Sequence, residues 1–174
     1  MGAPIKGGFV LVDSETGAVE RVLAFQYNPD QLAYSVTAAA TEIELTCGFD
    51  ATDELAVGDP GAQQSGIAPQ LAALAQLAAA PPPPDGPVIV FVWGAARVAA
   101  AEISSLTITE HAFNERLSPL RATVAIGLRL LRAGAPERVP VPEEFALAYE
   151  ASQQRLASSA GGAALSELGL TNLR

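Results

Sequence analysis

Covalent or acid–base chemistry in this sequence would run most readily through His111 or Cys47, the single residue of each type. A Ser–His–acid arrangement would have to use His111, yet no G-x-S-x-G elbow is present. His111 stands beside Glu110 where an alternating segment runs into an expected turn. A surface or interface histidine is the simpler reading there. Cys47 falls in phase with Ile43, Leu45 and Phe49, as a small buried hydrophobe does. With one Cys and one His, a structural zinc site is excluded. The acidic stretch Asp50, Asp53, Glu54, Asp59 offers oxygen ligands of the type calcium takes, but lacks the spacing and central glycine of an EF-hand loop. A solvated loop explains it as well. The paired carboxylates Glu42/Glu44 and Glu143/Glu144 sit on the polar face of an expected strand and at the start of an expected helix. Neither placement calls for general acid–base work. No G-x-G-x-x-G or G-x-x-x-x-G-K-[ST] loop occurs, and Trp93 reads as core. No catalytic residue, cofactor or metal is therefore expected, and the protein is expected not to be an enzyme.

The bulk properties point the same way. The net charge of −9 and the single lysine, Lys6, disfavour nucleic acid as a partner. With a lone cysteine there is no intrachain disulfide. The longest apolar stretch, Pro87 to Ala101, is cut by Gly94 and Arg97, short of the roughly 18 apolar residues of a membrane span. MGAPIK lacks the hydroxyl residue of a myristoylation signal, and Asp13 interrupts the only N-terminal apolar run. Synthesis and folding in the cytoplasm are expected, without membrane insertion.

Alternation and punctuation then place the elements. Residues 5–13 and 18–27 form a hairpin around Asp13-Ser-Glu-Thr-Gly17, with Val19, Leu23, Phe25 and Tyr27 on one face and Arg21 interrupting it near an edge. Asn28-Pro29-Asp30 stops the second strand. Residues 31–40 read as an extended loop or arm. Ile43, Leu45, Cys47 and Phe49 alternate with polar residues, the clearest strand. Residues 51–65 read as a loop. Ile67, Leu71, Leu74 and Leu77 make one helical stripe over about 66–79, with Ser65 as cap and Pro69 in the first turn. The proline run 81–84 ends it. Residues 87–93 form a strand covered on both faces. Residues 98–110 are a strand with a bulge near Ser104-Ser105, and 119–132 are another. A last helix spans about 142–156. The fold class is mainly β with two helices: an antiparallel sandwich or barrel.

Six segments carry a resemblance: Phe25-Gln-Tyr-Asn-Pro29-x-x-Leu32, Phe49-Asp-Ala-Thr-Asp53, Gly66-Ile-Ala-Pro-Gln-Leu-Ala-Ala-Leu74, Val90-Phe-Val-Trp-Gly94, Leu106-Thr-Ile-Thr-Glu110-x-Ala-Phe113 and Pro119-Leu-Arg-Ala-Thr-Val124. In that order they resemble the tube-type domain of contractile injection systems, the domain often followed by a LysM module in phage-tail-like particles. The resemblance implies a tail-tube-like β domain over 1–135, two antiparallel sheets with a flanking helix, and a C-terminal helix and tail over 136–174 in which no LysM module is recognisable. It implies a hexameric ring that joins the baseplate spike-hub to the inner tube, with tube, spike and other baseplate proteins as partners. Such a particle is assembled in the cytoplasm and stays there or is released. Tyr27, Asn28 and Pro29 would end a strand near a subunit contact, and Phe25 and Leu32 belong to the same motif. Asp50 and Asp53 belong to the second motif. Trp93 and Gly94 would close a buried strand, and Glu110, Phe113 and Arg121 would shape the last connection. The segment between Pro29 and Glu42 is short for this family. Other readings stay open: a tube or terminator ring elsewhere in the particle, a small-ligand-binding β-barrel, or a hydrolase built around His111.

Overall fold

The computed structural model describes residues 4–132 and 143–160. It is mainly β. Seven antiparallel strands form one sheet: β1 Gly8–Val12, β2 Val19–Ala24, β3 Leu32–Val36, β4 Thr41–Asp50, β5 Val88–Val92, β6 Val98–Phe113 and β7 Pro119–Leu130. Their order across the sheet is β2-β1-β5-β6-β7-β4-β3. The helices are α1 Thr52–Ala56, α2 Pro60–Ser65, α3 Ala68–Ala78 and α4 Glu143–Ser159.

Where the resemblance implies two sheets, the strands run as one continuous sheet with edges at β2 and β3. The barrel-like character comes from curling. The Gln26 side chain, just past β2, donates to the carbonyl of Asp50 at 2.6 Å and accepts from the Asp50 amide at 2.9 Å. An amide carries one donor and one acceptor group at strand-like spacing, so Gln26 supplies a two-bond ladder rung between the ends of β2 and β4. Asn28 repeats the device, accepting from Gly7 N–H and donating to the carbonyl of Ile5, each at 2.9 Å. At the opposite end, the Arg97 guanidinium lies 5.4 Å from the centre of the Tyr34 ring, linking the β5–β6 turn to β3.

The inner face of the sheet closes over α3. Ile43, Leu45, Cys47 and Phe49 of β4 and Ala122, Val124, Ile126, Leu128 and Leu130 of β7 are buried together with Ile67, Leu71, Leu74 and Leu77. Removing such a side chain from water stabilises by about 1.5–3 kcal/mol. Phe9 meets Phe25 edge-on at 5.4 Å, and Phe91 stacks on Trp93 at 6.4 Å. The expectation that β5 is covered on both faces holds. Phe91 points into this core, while Val88 and Val90 join Val12 and Ala100 in a second cluster. The bulge in β6 falls between Ile103 and Ser105, as the change of parity implies.

Four local readings change. Residues 32–36 form an edge strand, β3, rather than a loop. Its side chains are mostly exposed, so it carries no apolar alternation to read. The stretch 51–65 holds two short helices. Asp59 starts α2 by accepting from Ala62 N–H at 2.8 Å. Ser65 is the last residue of α2, not the cap of α3, which follows Gly66 and Ile67 without a side-chain cap. Gly66 (φ 55°) lies so close to β7 that a Cβ there would sit 2.0 Å from the Pro119 carbonyl oxygen. Val19 leaves the face of Leu23, because the ladder shifts between Leu11 and Val12 and sets Val19 opposite Val12. The tail beyond residue 160 lies outside the described residues, as does the stretch between residue 132 and α4.

Candidate functional site

Two surfaces gather the polar side chains. The first is the corner where β2, β4, α1 and β7 meet. Burial and curling bring Gln26, Tyr27, Asp50, Asp53, Glu54 and Arg121 together there. Asp50 accepts from the Thr52 hydroxyl and from Thr52 N–H, the latter at 2.8 Å. Its other oxygen accepts from Arg121 Nε at 2.8 Å. The Thr52 hydroxyl contributes most to holding the Asp50 carboxyl below its ordinary value, and Arg121 adds to it. Tyr27 is shifted upward by partial loss of water and then by the carboxylates of Asp53, Asp50 and Glu54. Gln26 also reaches Glu54 Oε1 at 3.5 Å, whereas Glu54 Oε2 is shielded without a hydrogen-bond partner.

The second surface is the outer face of β3, β4, β7 and β6. The ladders align it in rows. Glu42 lies opposite Arg129, which lies opposite Glu102. Asp50, Arg121 and His111 form the corresponding row at the far end. Between these charged rows run Thr46, Ala125 and Thr107, and Glu44, Gly127 and Ser105. The bulge aims two hydroxyls at Gly127, where a Cβ would meet Ser105 Oγ at 2.5 Å and Ser104 Oγ at 3.0 Å. An open groove of about 680 Å3 runs along this lane, with Asp30 and Gln31 at one side. Glu42, Glu44, Arg121 and Arg129 share this one face.

Of the twelve motif residues, Tyr27, Asp50, Asp53 and Arg121 meet in the corner. Phe25 and Trp93 meet in the aromatic cluster, 6.4 Å apart. Gly94 makes the β5–β6 turn at φ 68°. Asn28 ties down the chain before β1, and Pro29 follows it half-buried. Leu32 opens β3 half-buried, away from the others. Glu110 is exposed opposite Ala122, and Phe113 is half-exposed opposite Pro119 at the root of the β6–β7 hairpin. Gln26, which ties the ends of β2 and β4 together, lay inside the first motif without a role. Its signal was position: an amide at a strand end, two residues before a second amide.

Chemically, these surfaces offer charge and hydrogen-bond complementarity. His111 Nε2 faces the Thr123 hydroxyl at 3.3 Å. Burial pushes the Cys47 thiol up to about 12, so it stays protonated and unreactive near neutrality. The acidic stretch spends Asp50 and Asp59 on helix starts, and among the described residues no cluster of His, Cys, Asp and Glu could hold a metal ion. Also among the described residues, no helix is long and apolar enough to cross a membrane. No protein-family model matches the chain, and no curated protein matches it.

Proposed function

We propose that this chain is a structural ring subunit of a contractile injection or phage-tail-like particle, the adaptor that joins the baseplate spike-hub to the inner tube. The observation that carries this reading is the pair of sheet edges. β2 and β3 end the sheet on opposite sides, and both are largely exposed, with Val19, Val22 and Val36 more than three-fifths accessible. Unpaired edges with apolar side chains invite pairing with another chain, and a subunit with two different sticky edges closes naturally into a ring of copies. The six ordered motifs supply the identity of the ring. The polar outer face, free of large apolar groups between its charged rows, suits a surface that meets water or a stacked ring.

The test is co-expression with sheath, tube and spike proteins, followed by particle imaging. The chain is expected as a ring at the end of the tube, co-purifying with tube and spike. Recovery as a free monomer, with particles that lack it, sinks the proposal.

A further inference from the structure

We propose that Leu117 of one copy seats in the groove between β2 and α3 of a second copy. The groove has a volume of about 210 Å3, with Phe25, Phe49, Ala73 and Leu74 as floor and Arg21 and Gln70 at its rim. An apolar cavity of about 150 Å3 accepts a benzene ring, so a branched aliphatic side chain fits here with room to spare.

Leu117 is built to project. It is 80% exposed at the tip of the β6–β7 hairpin and holds φ 62°, a conformation that bulky residues avoid. The surrounding structure enforces it. Asn114 Oδ1 accepts from the amides of Arg116 and Ser118, each at 2.9 Å, and Leu117 N–H donates to the Asn114 carbonyl. The tip is pinned to the end of α2 by Asn114 Nδ2 on the Gln63 carbonyl and by Ser118 Oγ on the Gln64 carbonyl. It therefore cannot swing into its own groove, and its rigidity lowers the ordering cost of binding.

Charge selects the occupant. Glu115 stands beside Leu117, while Arg21 stands at the rim of the groove. Among the described residues neither Arg21 nor Glu115 forms an ion pair. A second copy brings Glu115 to Arg21 as Leu117 enters. The contact proposed is head-to-tail: the knob of one copy meets the groove of the next, and each copy offers both. Closure of that contact into a ring rests on the function proposed above; the contact itself does not.

The experiment uses the full chain with Cys47→Ala, carrying Leu117→Cys and Gln70→Cys. Mild oxidation should give a ladder of linked chains, whereas either cysteine alone gives at most a dimer. In parallel, Arg21→Glu and Glu115→Arg should each weaken self-association about tenfold, with the double swap restoring it. Oligomers that form without laddering and ignore both swaps overturn the contact but leave the ring reading standing. Laddering without co-purification of tube or spike keeps the contact and removes the ring reading. A chain that stays monomeric at every concentration overturns the contact.

Discussion

The two faces of β4, β6 and β7 are made by alternate residues of the same strands, yet they obey different rules. Inward, Ile43, Leu45, Val124, Ile126 and Leu128 are almost without solvent contact and are packed by α3. Outward, the same stretches present Glu42, Glu44, Thr123, Ala125 and Gly127, with the paired charges in two end rows and Glu44 between them. The inner face is constrained by volume, because every side chain is surrounded. The outer face is constrained only by what comes to meet it. Its small central lane and charged ends are therefore free of the packing demands that fix the inner face.

The largest effect expected from this contrast is on the inner face. Leu128→Ala leaves a cavity at a site with no solvent contact and should cost about 2–5 kcal/mol in a denaturant titration. A cost under about 1 kcal/mol would show that the core is looser than its burial implies. Gln26→Ala should come next. It strands both backbone groups of Asp50 at the seam of the curled sheet, at about 1–3 kcal/mol. Amide exchange at Asp50 should rise with it, and exchange unchanged there would mean the seam is held by packing alone.

The Asp50–Arg121 row sharpens the comparison through pH. The folded-state carboxyl of Asp50 is depressed below its ordinary 3.8. Its contribution is therefore present above that value and is lost as pH falls through the folded one. Asp50→Asn should remove that acid-side slope in a stability profile measured below pH 4. Being solvent-accessible, the Arg121 pair itself should contribute under about 1 kcal/mol. The smallest effect belongs to the central lane. Thr107→Ala should shift stability by no more than about 0.5 kcal/mol while remaining free to alter assembly. A larger loss of stability would mean that the outer lane is part of the core.

How much of this was legible depends on what each segment buries. β4 and β7 alternate cleanly because one face is core and the other is wet, and the parity slip at Ser104-Ser105 betrays the bulge. β3 left no pattern, since an edge strand with Ala33, Ser35 and Val36 all exposed has no buried side to mark. α1 and α2 are too short for a helical stripe, and their signals are single residues, Asp59 at the start of α2 and Gly66 beyond its end. The corner of Tyr27, Asp50, Asp53 and Arg121 was foreshadowed as separate motifs. Only the curl of the sheet, through Gln26, could show that they meet. Leu117 carried no signal at all, because exposure and a left-handed φ are properties of the folded hairpin rather than of the residue.

The most direct test of ring assembly is native mass spectrometry of the full chain purified with its co-expressed tube and spike proteins. The account predicts a closed oligomer of this chain, six copies by its resemblance, bound to both partners. A monomer that passes through purification without either protein would contradict it.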